Sequence, residues 1–238
     1  MFDGALQRLT RIDLAAGPDA PLSSSRTVAL RSGTTLTTAL WAGEERVVTV
    51  GFFPDGRLGF FDADGAFSGT AGELPAYPGE VAATVLQQAF MGRLAADPTR
   101  SQVAVASRHA GLIELIPLDG GPAVVAETPF PFDPEFGVQP TDYGPVMIPV
   151  DHTRFGYIDV AASADRVYGL FSGRTIEAFP EDANYAQYVH VFEWNGQFRQ
   201  ALQVDPGAFA ITVDEEEGVL YALRHLPTPA LLKYELGG

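Results

Sequence analysis

The chain of 238 residues has no cysteine. That excludes disulfides, thiolate nucleophiles, cysteine-ligated zinc and a lipid-bearing cysteine within this sequence, and it leaves the redox compartment open. Cations are scarce: 15 Lys and Arg against 30 Asp and Glu give a net charge of −15. Such a surface repels phosphate backbones and anionic lipid, so nucleic acid is not an expected partner. Long apolar runs are missing as well. Charge, Gly or Pro breaks every hydrophobic stretch before the ~18 residues a membrane-crossing helix needs, so membrane insertion is not expected. The opening MFDGALQRLTRIDL has neither the basic region nor the apolar core of an export signal. No HxH, HExxH, GxSxG, GxGxxG or P-loop pattern occurs, so no catalytic residue, metal or cofactor is assigned.

What the chain does have is apolar substance: 46% hydrophobic and 11% aromatic residues suffice for a large core. These residues are organised as a recurring hairpin. It reads VVTVGFFPDGRLGFFDADG at 47–65, QVAVASRHAGLIELIPLDGG at 102–121, RVYGLFSGR…YVHVFEWNG at 166–196 and VLYALRHLPTPALLKYEL at 219–236. Antiparallel strands repeating every few tens of residues imply an all-β fold, a β-propeller of four-stranded blades. Units are expected over 35–74, 90–128 and 154–204, with strands at 5–14 and 26–31 before them and a three-stranded unit at 208–236 after them. That makes one domain over 1–238 with about four to five blades. The two chain ends either close one blade together or belong to separate blades. Almost no helix is expected beyond a short turn within 80–90. Six prolines across 129–150 exclude a central strand there.

GFFPDGRLGFFDADG, AADPTRSQVAVAS, ADRVYGLFSGRT…YVHVFEWNGQF and AITVDEEEGVLYAL together resemble the TolB-like six-bladed propellers. Tyr168, Leu170, Ser172, Gly173, Val191, Phe192, Trp194 and Gly196 carry the strongest part of the likeness. The resemblance implies a bacterial, largely extracytoplasmic family, a fold, and no particular reaction. Six blades of ~40–50 residues need a longer chain than this one. The expectation is an incomplete ring lacking N-terminal strands, and a monomer if the ring is closed.

In such a ring, the loops after second strands and those between blades emerge on one face. The longest connections here, 75–89, 129–150 and 173–187, are all of these kinds, and long loops on a rigid scaffold are where binding concentrates. Arg108 and His109 follow VAVAS, Arg174 follows VYGLF-Ser-Gly, and Arg224 and His225 follow VLYAL. Basic groups thus recur near one rim in three blades of an acidic chain, an arrangement suited to a carboxylate or phosphate. The expected function is non-enzymatic binding of a peptide, protein or small polar ligand on that face. The alternative is a propeller hydrolase or lyase using the rim His and Arg groups. Asp62-Ala63-Asp64-Gly65 has the opening of a calcium loop but reads as a hairpin turn. His190, between Val189 and Val191, is expected at an edge or facing outward, His152 to lie in a loop, and Trp41 and Trp194 to pack between blades.

Overall fold

The computed structural model describes residues 1–12, 17, 25–97, 99, 101–225 and 228–236. Most of the connection expected at 16–25, and the end of the strand expected at 5–14, lie outside the described residues. Five antiparallel blades follow one another, each with strands in chain order. The first holds β1 (Phe2–Asp3), β2 (Arg8–Arg11) and β3 (Arg26–Ala29). The second holds β4 (Leu36–Trp41), β5 (Arg46–Gly51), β6 (Leu58–Asp62) and β7 (Phe67–Ala71). After α1 (Ala83–Ala89) comes the third, with β8 (Gly92–Ala96), β9 (Gln102–Ser107), β10 (Ile113–Pro117) and β11 (Val124–Val125). A separate hairpin, β12 (Gly137–Gln139) and β13 (Val146–Ile148), precedes the fourth blade. That blade is β14 (Tyr157–Ala162), β15 (Arg166–Phe171), β16 (Ala186–Glu193) and β17 (Phe198–Ala208). The fifth is β18 (Ala210–Asp214), β19 (Val219–Arg224) and β20 (Ala230–Glu235).

The first strands β4, β8, β14 and β18 pack on one another in that order, as the inner walls of a propeller do. Tight turns set the strand pairing. Gly56 and Gly65 take φ of 116° and 81°, a region open to glycine without steric cost. A Cβ on Gly65 would also lie 2.1 Å from the Ala29 carbonyl oxygen. Asp62 accepts the backbone N–H groups of Asp64 and Ala66 through Oδ1, both at 2.9 Å, and the segment is the turn of the β6–β7 hairpin.

Four clusters of buried apolar side chains form the seams between consecutive blades. Leu9 and Val28 meet Leu36, Val47 and Phe61 at the first. Val48 and Leu58 meet Val103, Val105 and Ile116 at the second. Ala104, Ile113 and Leu115 meet Tyr157, Val167 and Phe192 at the third. Leu170, Val189 and Val191 meet Ile211, Leu220 and Ala222 at the fourth. Each buried Val, Leu, Ile or Phe among them contributes about 1.5–3 kcal/mol by leaving water. None of the four clusters joins the fifth blade to the first. The second seam also encloses an ion pair, Arg57 Nε to Glu114 Oε2 at 2.8 Å, with Arg57 Nη2 donating to Ser107 Oγ at 3.2 Å. Enclosed charges persist only when paired and hydrogen-bonded in this way.

Of the two arrangements open for the chain ends, the structure has the separate blades: each end builds its own three-stranded sheet. It departs from the sequence expectations in three places. The strand expected from residue 5 starts only at Arg8: residues 4–7 are the turn that folds β2 back on β1, where Asp3 Oδ1 accepts the Ala5 and Leu6 amides at 3.0 Å and Gln7 takes φ of 50°. The Pro-rich segment carries a hairpin outside the blades, and its ladder residues 137–139 and 146–148 contain no proline. Finally, His190 is neither at an edge nor outward-facing. It is 1% exposed, because β16 lies between β15 and β17 and its stretch Val189–Phe192 is covered on both faces.

Candidate functional site

Arg108 follows β9, Arg174 follows β15 and Arg224 ends β19, the second strands of three blades. Second strands of successive blades run in the same sense, so their ends share a face. The long connections emerge there too. Residues 72–91 carry α1, residues 126–156 carry the β12–β13 hairpin, and Met147 N–H donates to Gln88 Oε1 at 2.9 Å between them.

The excursion 173–187 is where three of the predicted residues meet. Arg108 donates from Nη2 to Asn184 Oδ1 at 2.5 Å, and its guanidinium lies 5.3 Å from the Phe155 ring centroid. Arg174 pairs with Asp182 at 2.8 Å, donates to Gln187 Oε1 at 3.0 Å and covers the Phe179 ring at 4.5 Å. Ser172 Oγ fastens the same loop by donating to the Ala183 carbonyl at 2.7 Å. His225 is exposed and packs edge-on against Phe209 at 4.9 Å, with Tyr185 at 5.3 Å. So Arg108, Arg174 and His225 all reach the short run 182–185 or its rings.

The other two predicted residues do not join them. His109 is 5% exposed and turned against Phe155, with Nδ1 unpartnered. Burial, helped by the Arg108 charge, holds its imidazole down at about 4, against an accepting bond from the Ala89 backbone. Arg224 is half-buried, its Nε without a partner, and its charge acts on Tyr234 at the fourth seam.

Arg93 was missed by sequence reasoning. It is the second residue of β8, and with Arg108 it lines a cavity of about 160 Å³ at the top of the inner strands. Thr37 of the second blade, Met91 and Gly92 of the third, and Ile158 of the fourth complete the wall. Burial and the neighbouring Arg93 charge both lower the Arg108 pKa, as expected of two guanidiniums crowded in one recess. Neither makes an ion pair among the described residues. Asp159, the carboxylate that feels Arg93, is half-buried and pushed up by burial, and its Oδ2 is taken by the Ile211 amide at 2.9 Å. The available signal was a lone cation in the inner strand GRLAA. Gly156 lets the third and fourth blades close on this region: its N–H donates to the Arg108 carbonyl at 2.7 Å, and a Cβ there would lie 1.8 Å from the Ala110 carbonyl oxygen.

Among the described residues no group of three or more His, Asp or Glu is placed to hold a metal ion. No described helix is long and apolar enough to cross a membrane.

Comparison with solved structures shows the same kind of fold at low identity. Raptor from Chaetomium thermophilum aligns at TM-score 0.50 and 12% identity, over 90% of this chain and 16% of that one. Hydrazine synthase from Kuenenia stuttgartiensis aligns at TM-score 0.48 and 9% identity, over 83% and 44%. The β-propeller domain of Cps50 (Swd1) from Myceliophteria thermophila aligns at 0.48 and 12%, over 90% and 61%. The chain thus spans less than two thirds of each of these proteins. A search of curated proteins finds no match. At the family level the pattern described as TolB-like 6-blade propeller-like matches residues 22–216. The chain belongs to that TolB-like propeller family.

Proposed function

We propose that this protein is a non-enzymatic propeller whose loop-rich face binds a ligand presenting a carboxylate or phosphate at the mouth of the central channel. The observation that carries the reading is the cavity lined by both Arg93 and Arg108, in a chain of net charge −15, with neither in an ion pair among the described residues. Two guanidiniums lining one cavity repel each other, and an anion between them offsets that repulsion while gaining charge-assisted hydrogen bonds. The acidic remainder of the surface sharpens the contrast, since it turns anions away everywhere else. His109, next in the chain to Arg108, is walled in against Phe155, which favours binding over acid–base chemistry at this mouth.

A volume of about 160 Å³ suits one small anionic group, either free or at the end of a partner's side chain. The test is calorimetry and thermal shift with inorganic phosphate and with succinate at low salt. Saturable binding by at least one anion, lost in the Arg93→Gln/Arg108→Gln variant, is expected. Binding by neither, or binding unchanged in the variant, overturns the reading.

A further inference from the structure

A second recess on the molecule has the opposite chemistry. It lies outside the axis, between the chain leaving the second blade and the outer half of the third, with a volume of about 570 Å³. That is within the range of small-molecule sites. Pro75, Phe90, Leu112, Pro131 and Phe132 give it apolar walls. Three carboxylates belong to the lining, Glu114, Glu127 and Asp133, and no Lys, Arg or His does.

The three acids are not equivalent. Glu114 is 5% exposed and already held by Arg57, so it contributes an anchored oxygen edge rather than a free charge. Glu127 and Asp133 are exposed, and neither side chain makes an ion pair or a hydrogen bond among the described residues. The walls are shaped by backbone. Gly111 N–H donates to the Phe132 carbonyl at 3.0 Å, and Thr128 Oγ1 donates to the Gly111 carbonyl at 2.7 Å. A Cβ on Gly111 would lie 2.1 Å from the Phe130 carbonyl oxygen, so only glycine lets the connector close over the hairpin. Phe132 already takes a cation on its ring, with the Arg154 guanidinium 5.1 Å from the centroid.

We propose that this cleft between the second and third blades binds a small organic ammonium ion carrying an apolar or aromatic body. Charge complementarity selects the occupant. An apolar body leaves water against Phe90, Leu112 and Pro131, and the ammonium group donates to the unpaired carboxylates of Glu127 and Asp133. A neutral molecule of the same shape leaves the two carboxylates unused, and an anionic one is repelled by both.

The experiment is calorimetry of the full chain with benzylammonium, benzyl alcohol and benzoate at low salt. Benzylammonium is expected to bind saturably, and the other two are not. The Glu127→Gln/Asp133→Asn variant, altered only at exposed positions, is expected to bind benzylammonium about tenfold more weakly with an unchanged circular dichroism spectrum. The Arg93→Gln/Arg108→Gln variant is expected to bind it as the parent does, which separates this site from the channel mouth. No binding of benzylammonium, equal binding of benzyl alcohol, or undiminished binding in the carboxylate variant each overturns the proposal.

Discussion

The fourth and fifth blades are both antiparallel sheets with strands in chain order, but their surroundings differ. The fourth lies between two neighbours, and in β15 every residue from Val167 to Phe171 is buried. The fifth has a seam on one side, and β20 alternates half-buried and exposed from Ala230 to Glu235. A strand's side chains alternate between faces in both cases. Only where one face meets water does that alternation become a visible alternation of polarity. A blade enclosed on both sides therefore reads as a continuous apolar run, and a polar residue within it is an enclosed one. His190 is the example: Tyr157 Oη lies 3.0 Å from its Nδ1, and Phe171 stacks on it at 4.6 Å.

The largest effect that sharpens this contrast is at a leucine in the enclosed blade. Leu170→Ala, at 0% exposure, is expected to cost about 2–5 kcal/mol in urea unfolding. A cost under about 1 kcal/mol would mean that the seam between fourth and fifth blades collapses around the cavity and is not tightly packed. Next in size is pH. Burial holds His190 at about 4, below its ordinary 6.5. The unfolded chain therefore binds the proton first, so stability is complete above pH 6.5 and is lost as pH falls towards 4. Between pH 7 and 4.5 this one residue is expected to withdraw about 2 kcal/mol, at ~1.4 kcal/mol per pH unit. His109, also held at about 4, adds to the same loss. Unfolding of His190→Gln measured across that range is expected to show a shallower slope; an identical slope would place the proton elsewhere. The smallest effect is in the one-sided blade. Leu231→Ala, at 67% exposure, is expected to change stability by less than about 0.5 kcal/mol. A loss comparable to that of Leu170 would show that something covers this face in solution.

Much of the fold was legible because its determinants are local. Gly56, Gly65 and Gly196 mark turns that need positive φ, and the runs between them have strand composition. The helix at 83–89 showed only as a stretch without Gly or Pro, since Ala82 offers no side-chain cap and burial of Val85, Gln87 and Ala89 holds it in place. The hairpin at 137–148 was obscured by prolines that flank its ladder. The site was half legible for a related reason. Strand ends identify which residues reach a face, as with Arg108 and Arg174, but not which way each side chain turns from there. His109 turns inward to Phe155, and Arg93 joins Arg108 only through the pairing of Gly92 with Ser107 that sets β8 beside β9.

The distribution of the channel-mouth residues among the seams has a further consequence. Each of the four described seams joins two consecutive blades, so the second, third and fourth blades lean on a neighbour on either side. Thr37, Arg93, Arg108 and Ile158 come from those three blades. An anion held among them acts as a clasp across the two middle seams and leaves the outer two untouched. Amide exchange should then slow most in β4, β8 and β14 when the anion is present, while β1 to β3 and β18 to β20 keep their own pace.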